Sequence, residues 1–146
     1  MAGAAAIAAL LGGATVLGRD VHTDLELTAE IERGLPSASL ARLVEELRAG
    51  LSPEPIYSVV RCEGDLERRE QDRERLTSGE SERLVRLARL VIRAEEALGE
   101  RNTASRWMGK PNRALEGRRP LEWLATDADA TRVEDVLGRI EHGVYG

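Results

Sequence analysis

The stretch that most constrains the fold is Thr77-Ser78-Gly79-Glu80 together with the long run behind it. Thr77 is placed to accept a hydrogen bond from the backbone of Glu80, and the Glu80 carboxylate to reach back, the reciprocal pattern of a capping box. Beyond it Leu84, Leu87, Ala88, Val91, Ala94 and Leu98 share one helical face, and Gly99 supplies a stop. Arg83, Arg86, Arg93, Glu96 and Glu100 take the other face, with Glu82 and Arg86 spaced as an i,i+4 ion pair. The spacing predicts one long amphipathic helix whose apolar stripe needs partners.

The chain supplies those partners as further helices. It has two Trp, two Tyr and no Phe, so its core is built from Leu, Val, Ile and Ala, and Ala with Leu favours helix. Its 146 residues allow one domain or two small ones. The start, MAGAAAIAALLGGATVLGR, lacks the basic n-region and cleavage site of a signal peptide, and is too short and Gly-rich to span a membrane. It reads as a helix through Leu11, a turn at Gly12-Gly13 and an extended piece over 14–17.

Residues 20–34 read as a helix stopped by Gly34-Leu35-Pro36. Ser37 or Ser39 caps a second helix carrying Leu40, Leu43, Val44 and Leu47. Ser52 caps a third, with Pro53 at its first position and Ile56, Val59 and Val60 as its apolar side. Gly64 separates this from a charged helix over 65–75. In the last third, Asn102 or Thr103 caps a short helix with Trp107 and Met108, Pro120 opens another, and Thr126 starts a final helix carrying Val133, Val136, Leu137 and Ile140 that breaks at Gly143. The whole chain reads as all-α, with loops of bundle-like length. Trp107 and Trp123 read as packing residues.

The helix, turn, helix order around residue 64 resembles a helix-turn-helix. Its reading helix carries Arg68, Arg69, Arg73 and Arg75, with Arg61 just before it, all able to meet phosphate. It also carries Asp65, Glu67, Glu70, Asp72 and Glu74, which repel phosphate. Two readings therefore stay open: a DNA-contacting helix, or a solvated helix laced with ion pairs. The net charge of −5 is spread as −4 over 1–60, +3 over 61–119 and −4 over 120–146.

The residues argue against catalysis. Only two His are present, His22 and His142, with the lone Cys62, so no metal-ligand spacing arises and no cofactor is implied. Cys62 or a Ser nucleophile lacks a nearby base, and Gly12-Gly13 is not a phosphate loop. A single cysteine fits a reducing compartment, and the expected location is the cytoplasm.

The closing run Gly138-Arg139-Ile140-Glu141-His142-Gly143-Val144-Tyr145-Gly146 continues its apolar stripe only to Ile140. From the residues alone, Val144 and Tyr145 either fold back on the chain's own helices or face a partner. Residues 74–146 resemble the toxin-binding domain of the Xre/MbcA/ParS-type antitoxins. The resemblance runs through Leu76-Thr77-Ser78-Gly79-Glu80, Arg106-Trp107-Met108, Pro111-Asn112-Arg113-Ala114-Leu115, Gly117-Arg118-Arg119-Pro120-Leu121 and the closing run. The first part is similar more loosely, at Leu11-Gly12-Gly13, Val16-Leu17-Gly18-Arg19 and Gly34-Leu35-Pro36.

That resemblance implies an N-terminal arm over 1–20, an Xre-like helix-turn-helix and dimerisation domain over 21–75 and a toxin-binding domain over 76–146. It implies a non-enzymatic antitoxin paired with a RES-domain toxin that degrades NAD or transfers ADP-ribose. The antitoxin is expected to occlude the toxin's NAD-binding site with its C-terminal region, through Arg139, Ile140, Glu141, His142, Val144, Tyr145 and Gly146. A homodimer that represses its own operon is expected, with Arg61, Arg68, Arg69 and Arg73 as the DNA-facing set. The competing reading is a stand-alone Xre-like transcriptional regulator.

Overall fold

A computed structural model describes residues 3–60, 66–71 and 73–143, and within the helix over 66–71 the side chains of Arg68, Arg69 and Gln71. The described elements are α1 (Ala4–Leu10), α2 (Gly13–Leu17), α3 (Asp24–Arg33), α4 (Ser37–Leu47), α5 (Pro53–Val60), α6 (Leu66–Gln71), α7 (Ser78–Leu98), α8 (Arg101–Met108) and α9 (Asp127–Glu141), with 3-10 turns at Arg113–Leu115 and Pro120–Glu122. No strand occurs among the described residues; the protein is all-α.

The long helix α7 is the axis on which the others pack. Thr77 accepts from Glu80 N at 3.1 Å while Glu80 accepts from Thr77 N at 2.8 Å, and Gly99 ends the helix in the left-handed region at φ 97°. Leu84, Leu87, Ala88, Val91 and Ala94 are fully buried. Around them lie α1, α3, α5, α8 and α9. One apolar cluster runs from Ala4 through Leu40, Leu43 and Leu47 to Leu137, so both parts of the chain share a core. By area bookkeeping each fully buried Leu contributes about 2 kcal/mol to such a core.

Several local expectations change. Residues 14–17 are not extended: α2 is helical between two left-handed glycines, Gly12 at φ 113° and Gly18 at φ 84°. The β-branched pair Thr15-Val16 favours strand locally, but burial of Leu17 to 3 % exposure settles the segment as helix. The helix expected from residue 20 starts at Asp24, because Thr23 and Glu26 form a capping box of their own. Ser37 is the first residue of α4 rather than its cap; its hydroxyl donates instead to the Glu74 carbonyl. Glu100, not Asn102 or Thr103, precedes α8. The charged helix expected to reach residue 75 ends at Gln71, and Arg73 takes a left-handed conformation at φ 54°.

The turn between α3 and α4 is sewn to the strap before α7. Leu76 N donates to Leu35 O at 2.8 Å, Leu35 N to the Ser81 hydroxyl at 2.8 Å, and Arg75 to Gly34 O at 2.7 Å. Gly34 sits at φ 89°, and a Cβ there would collide with the Leu76 carbonyl. Only glycine satisfies both constraints.

Candidate functional site

The C-terminal third is assembled by local turns onto α7 and α8. Asn112 accepts from Ala114 N at 2.9 Å and opens the 3-10 turn Arg113–Leu115, while its own N–H donates to Arg118 O at 3.0 Å. Glu116 at φ 60° and Gly117 at φ 76° reverse the chain, and Leu115 plugs into the core. The Pro-Asn-x-Ala-Leu-x-Gly run is thus a compact Asn-capped loop. Trp123 lies buried behind it, with the Arg118 and Arg132 guanidiniums 4.9 and 4.3 Å from its ring centre. Trp107 is partly buried against the same core. Both Trp are therefore packing residues, as their type suggests.

Two arginines of α7 hold the two ends of α9. Arg86 donates to Asp127 Oδ1 at 3.1 Å, to Leu124 O at 2.9 Å and to Ala125 O at 3.3 Å. Asp127 is the first residue of α9. Arg86 also meets Glu82 at 3.3 Å, the pair foreseen from spacing. Its burial was not foreseen: it belongs to the sequence's polar face, yet the 124–127 segment lies over it. Two turns further along, Arg93 grips Glu141, the last residue of α9, with two hydrogen bonds of 2.9 and 3.2 Å. Those hydrogen bonds from Arg93 hold the Glu141 carboxyl below the usual glutamate value.

The residues expected to face a toxin divide accordingly. Arg139 and His142 are exposed, and Ile140 is half-buried against the core. Glu141 is exposed but already engaged by Arg93. His142 N donates to Gly138 O, and Gly143 turns left-handed at φ 73°, ending the helix where the sequence places the break. Val144, Tyr145 and Gly146 lie outside the described residues.

The expected DNA-facing set divides as well. Arg61 lies outside the described residues. Arg68 is exposed, 3.7 Å from Glu74, and Arg73 is exposed. Arg69 is not on the surface: it is 6 % exposed, bonded to both Glu80 oxygens at 3.0 and 3.2 Å and to Arg75 O at 3.2 Å. Burial and pairing withdraw it from a phosphate backbone. Sequence reading missed Arg93, Arg86 and this role of Arg69, because their partners lie 48, 41 and 11 residues away.

Among the described residues no cluster of His, Cys, Asp and Glu is able to hold a metal ion, and no helix is long and apolar enough to cross a membrane.

The fold defines the class: a helical module whose last helix is fastened to its longest helix near both ends. Comparison with known proteins gives this class a name. Residues 93–143 match the family described as antitoxin Xre/MbcA/ParS C-terminal toxin-binding domain. An antitoxin Xre of Pseudomonas putida is 33% identical over 127 residues, covering 87% of this chain and 77% of that protein. An antitoxin Xre of Yersinia enterocolitica is 33% identical over 130 residues, covering 78% of this chain and 88% of that one. One of Photorhabdus laumondii is 35% identical over 71 residues, 48% of each chain. The chain belongs to the Xre antitoxin family and carries its toxin-binding domain. Its partner is accordingly a toxin. Arg93 and Glu141 both fall inside the matched segment.

Proposed function

We propose that this antitoxin neutralises a RES-domain toxin by covering the toxin's NAD-binding active site with its C-terminal region. The observation that carries this reading is the exposed end of α9. Arg139 and His142 stand in solvent there, and among the described residues no hydrogen bond or ion pair occupies the Arg139 side chain. Val144, Tyr145 and Gly146 follow directly. A cleft shaped for an anionic dinucleotide suits an arginine side chain and an aromatic ring, and a tyrosine gives large contact area at low entropic cost. Occlusion of this kind serves equally against a toxin that degrades NAD and one that transfers ADP-ribose. The protein itself performs no chemistry in this scheme.

The test is deletion of residues 143–146. The truncated chain is expected to keep its melting temperature and to lose inhibition of NAD turnover by a RES-domain toxin. Full inhibition by the truncated chain would rule out the C-terminal occlusion.

We further propose a homodimer that represses its own operon, the DNA being met by Arg61, Arg68 and Arg73, with Arg69 serving inside the fold. The alternative, a stand-alone regulator, rests on the same three arginines without a toxin. A gel shift with the upstream DNA at two salt concentrations, with and without toxin, separates them: binding unaffected by toxin, with no neutralisation, favours the regulator.

A further inference from the structure

We infer that the cleft between α5, the first turns of α7 and the 118–125 segment binds a dianionic phosphate group, free or carried as the monoester of a small molecule. The cleft has a volume of about 240 Å³. A water in the liquid takes about 30 Å³, so one tetrahedral oxyanion and a few waters fit, and a drug-sized ligand does not. Val59 of α5, Leu121 and Leu124 give it an apolar wall. Arg83, Arg118 and Arg119 stand around it with Glu122 as the one carboxylate, an excess of two positive charges. That excess occurs in a chain whose net charge is −5.

The guanidiniums keep donors to spare. Arg83 spends its Nε on the Val60 carbonyl at 2.8 Å, which ties the side chain to the end of α5. Its two terminal nitrogens have no partner among the described residues. Arg118 lies 4.9 Å from the Trp123 ring centre, and no hydrogen bond or ion pair among the described residues occupies its side chain. Arg119 has Glu122 at 3.5 Å, and that carboxylate already accepts from the Arg119 backbone N–H at 2.8 Å. The exposed Ser58 hydroxyl adds a donor that is likewise unengaged among the described residues.

Like charges around one small cleft repel, and an apolar wall screens them less than water does. An anion between them removes that repulsion, and guanidinium forks match phosphate oxygens in pairs. A phosphate monoester carries about −1.5 to −2 near neutral pH, enough to cancel an excess of two positive charges. A carboxylate cancels half of it. Ser58 and Val59 belong to α5, whereas Arg118 and Arg119 fall inside the segment matched by the toxin-binding family. A phosphate held by both sides fastens α5 to that segment and stabilises the folded chain.

The experiment titrates inorganic phosphate, adenosine monophosphate, acetate and chloride into the chain at constant ionic strength. Nitrogen–proton correlation NMR follows the amides of Ser58, Val59, Arg119 and Leu121, and the melting temperature is recorded alongside. Saturable shifts at these positions are expected with a Kd of about 1 mM for inorganic phosphate, and binding of acetate weaker by at least about tenfold. At about ten times that Kd the melting temperature rises by about 4 °C. Arg118→Met is expected to weaken phosphate about five- to tenfold. Glu122→Gln is expected to tighten it about two- to threefold, a gain that a merely structural role would not give. Arg132→Met removes the other guanidinium over Trp123, 4.3 Å from its ring centre and outside the cleft, and is expected to leave affinity unchanged.

Binding of inorganic phosphate without adenosine monophosphate supports the site with the free ion as its ligand; binding of both supports it with a small-molecule monoester. Acetate binding as tightly as phosphate would make this a simple carboxylate site and overturn the inference. So would an absence of shifts at the cleft, or a folded Arg118→Met chain that binds phosphate like the parent. No toxin enters these measurements, so the occlusion reading stands or falls separately.

Discussion

Replacing Glu80 by Ala tests how the two parts of the chain are joined. Glu80 is 4 % exposed and performs two tasks at once. It accepts from Thr77 N at 2.8 Å to close the capping box of α7, and it receives Arg69 at 3.0 and 3.2 Å. Arg69 is itself buried at 6 % exposure. Removing the carboxylate takes from this interior guanidinium its two contacts with Glu80, while the Arg75 carbonyl at 3.2 Å and Glu74, 3.6 Å from its Nε, stay beside it. Breaking a buried pair from one side costs about 3–5 kcal/mol, and half a capping box about 1 kcal/mol. The two losses overlap at one side chain, so we expect a loss of about 4 kcal/mol, a large part of a domain's total of about 5–15 kcal/mol.

Urea unfolding followed by circular dichroism reads this as a lower midpoint with an unchanged slope. The companion variant Arg69→Met with Glu80→Leu removes both charges. It is expected to recover most of the loss, since an apolar pair of similar volume replaces a buried ion pair with little penalty. A change below about 1 kcal/mol for Glu80→Ala, the range of an exposed pair, would refute the argument that this pair is buried and structural.

Two further outcomes follow from single positions. Gly34→Ala places a Cβ against the Leu76 carbonyl at a positive φ of 89°, and a stability loss of about 3 kcal/mol in the same urea assay is expected. The Glu141 carboxyl, held down chiefly by the Arg93 hydrogen bonds, is expected to titrate below the ordinary glutamate midpoint by carbon-detected NMR. Arg93→Met is expected to return it to that midpoint. Because its folded value is lowered, its contribution to stability is present above the ordinary glutamate midpoint and fades as the pH falls through the folded value.

Much of the scaffold was legible in the sequence because it is written locally. The Thr77–Glu80 box, the Thr126 start of α9 and the Gly99 and Gly143 stops are short-range signals, and each stands where the residues place it. The Thr23-Asp24-Leu25-Glu26 box carries the same signal, and it starts α3 at Asp24 rather than at Asp20. What the sequence hides is long-range. Arg86 reads as solvent-facing on a helical wheel, and only the arrival of the 124–127 segment buries it. Arg69 reads as a phosphate contact until Glu80, already needed for a cap, closes on it. The segment over 14–17 misleads in the opposite way: local β propensity points to an extended strand, and packing of Leu17 overrides it. At the exposed end of α9 the residues were readable but the Arg93 anchor was not, since nothing local links position 93 to position 141.

We propose above that the C-terminal region, Tyr145 included, covers the NAD-binding site of the toxin. A photo-crosslinking amino acid in place of Tyr145, in the antitoxin bound to a RES-domain toxin, tests this. Crosslinks to toxin peptides that line the NAD site are expected, reduced when the toxin is first loaded with excess NAD. Crosslinks confined to the antitoxin's own helices, or to a toxin surface away from that site and insensitive to NAD, would contradict it.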